Sequence, residues 1–172
     1  MTDGDHDTSP RRQLADGANA SVSKNQRRVL RELGYDLSAM RDEVVRALEF
    51  MDSAYHQVLT ITDVAAAAGI SPRRLQELVR AATSESPMNV LRQIRMLYAR
   101  QMLLDSAERR TVGDIARAAQ LLHLGRFSVR YAAEFGESPS KTARRVRQRP
   151  SRSASTRKRR TFDVLAMERI EP

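Results

Sequence analysis

Residues 61–87 read ITDVAAAAGISPRRLQELVRAATSESP. Either Thr62 or Asp63 can cap a short helix here, and Gly69 can end it, because glycine takes the left-handed conformation that a sharp turn requires. Ser71 then serves as the N-cap of a second helix. Pro72 sits at its first position, where a missing N–H costs nothing. Ala65 is small where two helices must approach closely, and Val64, Ile70, Leu75 and Leu78 form a small core between them. The reading is helix, tight turn, helix, with the residue spacing of a helix-turn-helix.

The same sentence is written twice. Residues 112–139 read VGDIARAAQLLHLGRFSVRYAAEFGESP. Asp63, Val64 and Ala65 align with Asp114, Ile115 and Ala116, all 51 positions apart. Further on the offset is 52, aligning Leu75 with Phe127, Val79 with Tyr131 and Thr83 with Phe135, so the second copy holds one extra residue. One copy alone reads as any αα-hairpin. Two copies, each followed by Ser-Pro, favour paired DNA-binding units. Ser86 and Ser138 then cap the helices that follow, with Pro87 and Pro139 as their first residues.

Between the copies, Met88 to Asp105 reads as one helix, inside a linker of about 87–106 and about 27 Å long at 1.5 Å per residue. Leu91, Ile94, Met96, Ala99 and Leu103 dock against both halves, and Met88, Met96 and Met102 are core filler. A rigid spacer of this length can set two recognition helices about one DNA turn apart, near 34 Å. A monomer then does what a symmetric dimer usually does.

Outward from this centre, DEVVRALEFMDSAY from Asp42 places Val44, Val45, Leu48 and Met51 on one stripe, with acids in the first turn where the helix dipole favours them. Residues 26–40 hold one short helix before Gly34. Residues 1–26 are small and polar and read as disordered. The stretch 147–160 carries seven basic residues and no acid, which marks a flexible charged arm. Residues 162–170 form a possible terminal helix. No segment alternates like a half-buried strand. The expected fold is all α with about seven helices: two helix-turn-helix subdomains, about 61–82 and about 112–135, joined by the linker helix. The folded unit is expected over 42–146, with 1–41 mostly disordered and 147–172 a basic tail.

Composition narrows the chemistry. The 172 residues include no Cys, which removes disulfides, thiolate nucleophiles and zinc-thiolate sites together. His6, His56 and His123 lie far apart without metal-ligand spacing. No catalytic residue, cofactor or metal is expected, and the chain does not read as an enzyme. No apolar run spans a bilayer and the N-terminus is acidic and polar, so the expected location is the cytosol, at the nucleoid. The formal charge is +9 with a sequence pI near 10.9, which favours a polyanionic partner. The last 26 residues, with eight basic and three acidic groups, hold +5 of that excess. Binding by the middle must therefore depend on where its arginines point.

Four stretches in order carry a family resemblance: GISPRRLQELV, SPMNVLRQIRMLYARQMLL, VGDIARAAQ and HLGRFSVRYAAEFGESPS. From about Leu59 to Arg145 the chain resembles the AraC/XylS family of bacterial transcription regulators. The resemblance implies double-stranded DNA as partner and, through the family's common mode of activation, contact with RNA polymerase. Family members usually carry an N-terminal sensing or dimerising domain. The roughly 40 residues ahead of this unit are too few and too polar for one, so a monomeric stand-alone regulator, or a remnant of a larger one, is expected.

In the first copy Leu75, Leu78 and Val79 face inward, leaving Arg73, Arg74, Gln76, Glu77 and Arg80 for solvent or DNA. Arginine paired with guanine and glutamine with adenine are the standard edge contacts. The resemblance puts groove contacts at Arg73, Gln76 and Glu77, with Arg74 and Arg80 better placed for phosphates. The second copy has Gln120 and Leu121 where the family usually writes Gly-Phe. Gln in a left-handed turn costs about 1 kcal/mol more than Gly. Phe127, Tyr131 and Phe135 form its buried stripe. Arg126 and Arg130 are expected on phosphates and Val129 on a thymine methyl, while His123 either caps the helix or donates to a phosphate. The first copy then specifies and the second positions. The alternative is a degenerate member acting as a protein-interaction or non-specific DNA-binding module, with Gln120, Leu121 and Ser84, where the family has Gly, as its marks of decay.

Overall fold

The computed structural model describes residues 27–105 and 107–148. The readings made for 1–26, for the tail beyond Gln148 and for the terminal helix at 162–170 lie outside them. Within the described residues the chain is helical throughout. Helix α1 covers 27–32, and a 3-10 turn follows at Leu37–Ala39. The remaining elements are α2 (Asp42–Ser53), α3 (Ile61–Ala68), α4 (Pro72–Thr83), α5 (Pro87–Leu104), α6 (Val112–Ala118), α7 (Leu124–Phe135) and α8 (Pro139–Gln148).

Two hydrophobic clusters share α5. The first gathers Val44, Leu48 and Met51 from α2, Val64, Ala65 and Ala68 from α3, Leu75 and Val79 from α4, and Leu91 and Ile94 from α5. The second gathers Met96, Ala99 and Leu103 of α5 with Ile115, Ala116, Phe127, Tyr131 and Ala143. One straight helix thus buries its first half in one subdomain and its second half in the other. Phe135 packs against both clusters.

The folded unit starts earlier than residue 42. Val29 and Leu30 of α1 are fully buried in the first cluster, and Leu33, Tyr35, Leu37 and Met40 pack against it. These six apolar residues are spread irregularly among charged and polar ones, without a helical period, so composition alone placed them outside. In α2 the buried stripe includes Ala47, while Val45 is only half-buried.

The caps follow the repeat, with one correction. Thr60, not Thr62 or Asp63, caps α3: its hydroxyl accepts from the Asp63 N–H, and the Asp63 carboxylate accepts from the Thr60 N–H at 2.7 Å. Thr111 and Asp114 repeat this reciprocal capping box at the start of α6, satisfying two otherwise orphaned donors each time. Hydrogen bonds from Thr60 and Thr111 hold the Asp63 and Asp114 carboxyls below the usual carboxylate range. Ser71, Ser86 and Ser138 accept from the N–H groups of Arg74, Asn89 and Lys141 as expected.

The turns carry the difference between the copies. Gly69 ends α3 at φ 74°. Gln120 holds the corresponding left-handed position after α6, at φ 55°. After the second helix of each pair, Gly136 (φ 71°) is matched by Ser84 at φ 62°.

Candidate nucleic-acid interface

Helix α4 is built to show one face. Its Ser71 cap and Pro72 start fix where it begins, and Leu75, Leu78 and Val79 bury the other side. Arg73, Arg74, Gln76, Glu77 and Arg80 are all exposed, as the spacing requires. The Arg73 side chain is 90% exposed, and its partner is Glu77 one turn along the same helix. Glu77 sits between two arginines, with Arg73 Nε at 3.3 Å and Arg74 Nη1 at 3.6 Å. Exposed pairs of this kind contribute about 0–1 kcal/mol. Both guanidiniums are therefore held roughly in place and released cheaply. Four polar heads of three chemistries, two forked donors, one amide and one carboxylate, project from little more than one helical turn.

Helix α7 presents a different face. Phe127 and Tyr131 are buried, and the Tyr131 hydroxyl donates to Thr142 Oγ1 at 3.0 Å. Thr142 in turn donates to Glu137, which also accepts from Arg145 at 2.8 Å. This chain of bonds docks α8 against the back of α7. Outward, Arg126, Val129 and Arg130 are exposed. His123 occupies the N-cap position, but its side chain makes no capping bond. Of the two roles expected for it, side-chain capping is not made in the structure. Leu122, Leu124 and Val129 are 64%, 40% and 71% exposed, so the leading edge of this unit is apolar between its arginines.

One cation was missed from sequence. Arg92 of α5 lies with Arg130, Asn89 and Glu134 along a groove between α5 and α7. Burial and the like charge of Arg130 hold it below the usual arginine value, while Asn89 Oδ1 accepts from its guanidinium. Its place in an amphipathic linker pattern gave no sign that it faces α7. Among the described residues no cluster of His, Cys, Asp and Glu is arranged for a metal ion. No helix there is long and apolar enough to cross a membrane.

Two helix pairs, each with a left-handed turn and an exposed second helix, define a tandem helix-turn-helix DNA-binding domain. A helix-turn-helix domain model matches residues 64–145. A probable AraC family transcriptional regulator from Rhodopseudomonas palustris superimposes with a TM-score of 0.59 at 30% identity, covering 62% of this chain and 99% of that one. The probable thc operon regulatory protein of Rhodococcus erythropolis is 38% identical over 102 residues, 58% of this chain and 30% of that protein. The XylDLEGF operon transcriptional activator of Pseudomonas putida is 33% identical over 104 residues, 60% of this chain and 32% of that protein. The chain belongs to the AraC/XylS family of transcriptional regulators. It spans about a third of the length of these two curated relatives.

Proposed function

We propose that the chain is a sequence-specific transcription regulator that places α4 and α7 in adjacent major-groove segments of double-stranded DNA. The observation that carries this reading is the face of α4, where Arg73, Gln76 and Glu77 project from a capped, buried-backed helix with no competing partner elsewhere in the fold. Arg73, Gln76 and Glu77 read base edges, and Val129 meets a thymine methyl. Arg74, Arg80, His123, Arg126 and Arg130 hold phosphates, and the basic tail adds affinity without sequence information. The chain acts as a monomer, its two units replacing the two halves of a dimer, and its partners are DNA and, where it activates, RNA polymerase.

Selection from random duplexes followed by footprinting tests this reading. Protection over two major-groove segments one turn apart is the expected result. Arg73→Ala should cost about 1–3 kcal/mol on the selected site and relax one base preference. A second reading is favoured by the exposed Leu122, Leu124 and Val129: a second unit that docks on an apolar partner surface and leaves DNA to the first. Protection confined to one groove segment is its signature.

A further inference from the structure

The seam between the two subdomains contains a polar contact that joins the turn of one to a loop of the other. The Gln120 side-chain amide donates to the backbone carbonyl of His56 at 3.0 Å, across 64 residues of sequence. The acceptor is anchored on both sides. Arg95 of α5 donates to the Tyr55 carbonyl at 2.8 Å and to the Gln57 carbonyl at 2.7 Å, bracketing His56. The Tyr55 ring stacks on Tyr98 of α5 at 3.7 Å, and the His56 ring meets Tyr55 edge-on at 5.4 Å. The loop is thus pinned to the helix that both subdomains share.

The donor is anchored as well. Gln120 stands at φ 55°, with its own N–H bonded to Arg117 O at 2.9 Å and the Leu121 N–H to Ala116 O at 2.8 Å. Glycine fits this backbone without strain, and glycine has no side chain to reach His56. Around the polar contact the seam is sparse: Phe135 touches both clusters, and the Arg100 guanidinium lies 4.0 Å above its ring.

We propose that Gln120 is a positioning residue that locks the angle between the two helix-turn-helix units, and so sets the half-site spacing the chain accepts. The second clause rests on the two-groove reading above; the lock itself does not. The strained residue is the one that spans the seam, and it holds α7 in register with α4.

The test uses the full chain, Gln120→Gly and Gln120→Asn. Asn also tolerates the left-handed region, but its amide is one methylene too short for His56. The chain has no native cysteine, so Ala81→Cys and Ala133→Cys, both at exposed positions, carry spin labels for distance measurement between α4 and α7. The wild-type background should give one narrow distribution and both variants a broadened one. On a selected duplex whose half-site spacing is changed by one base pair, the wild type should lose about tenfold in affinity and the variants about threefold or less, on the scale of one mismatched pair. Distributions that stay narrow in both variants, or a spacing penalty that stays at the wild-type value, overturn the lock. A wild type indifferent to spacing overturns the two-groove reading instead, and the label distances still decide the lock.

Discussion

Asp52, at the end of α2, is 1% exposed, with the Tyr98 hydroxyl beside its carboxyl. Burial pushes its pKa from the ordinary 3.8 to about 7; the nearby charge of Glu49 adds to the rise and the Tyr98 hydroxyl opposes it. Because the folded value lies above the unfolded one, the native state binds the proton more tightly. Stability therefore falls as pH rises from 3.8 to about 7 and levels off beyond, the native state holding a proton that the unfolded state has lost. At 1.36 kcal/mol per pH unit, ionised Asp52 costs about 4 kcal/mol at pH 8, and about 3 kcal/mol of that appears between pH 5 and pH 8. Asp52→Asn removes the titration and keeps the shape. Asparagine brings its own burial cost, but that cost does not depend on pH. The quantity to measure is the stability difference between Asp52→Asn and wild type, by urea unfolding at pH 5 and pH 8. It should move in favour of the variant by about 3 kcal/mol at the higher pH. A difference that is the same at both values would falsify the claim that a buried carboxyl holds its proton at the α2 interface.

The remaining predictions concern caps, turns and DNA. Ser84→Gly should stabilise the fold by about 0.5–1 kcal/mol, since it removes left-handed strain and Gly gives back part in unfolded-chain entropy; no gain in denaturant midpoint refutes it. Gln120→Gly relieves the same strain but loses the His56 bond, so global stability should change by less than about 0.5 kcal/mol, in contrast to the broadened label distances. Thr60→Ala removes the hydroxyl side of the first capping box and should cost about 1 kcal/mol in chemical denaturation. The double change Arg74→Ala with Arg80→Ala should weaken binding evenly across DNA sequences and lower the slope of log affinity against log salt by about 2. A change in preferred sequence with the slope intact would reassign both residues to the groove.

Much of the candidate interface was legible before any coordinates, because its signals are local. Ser71-Pro72, Ser86-Pro87 and Ser138-Pro139 each announce a helix start within two residues, and Gly69 ends a helix by its own backbone freedom. The outward set on α4 follows from which positions Leu75, Leu78 and Val79 occupy on a 3.6-residue period. Even the strained Gln120 was readable, since the repeat marks where a left-handed residue must stand. The cap of α3 was displaced by two residues because Thr60, Thr62 and Asp63 are all competent caps, and only the observed helix start separates them.

What remained hidden depends on distance along the chain. Val29 and Leu30 carry no periodic pattern, and only packing into the first cluster makes them core. Asp52 lies on a helix whose sequence is equally compatible with an exposed acid, and its burial is decided by packing against α5. Arg92 meets Arg130 only because α7 folds back across the linker. Two helix pairs on a shared spacer follow from local signals, since each helix start and turn is a choice made among near neighbours. Only the folded chain brings the Gln120 amide to the His56 carbonyl, because these residues lie 64 positions apart. Side-chain periodicity carries no information about such a pair.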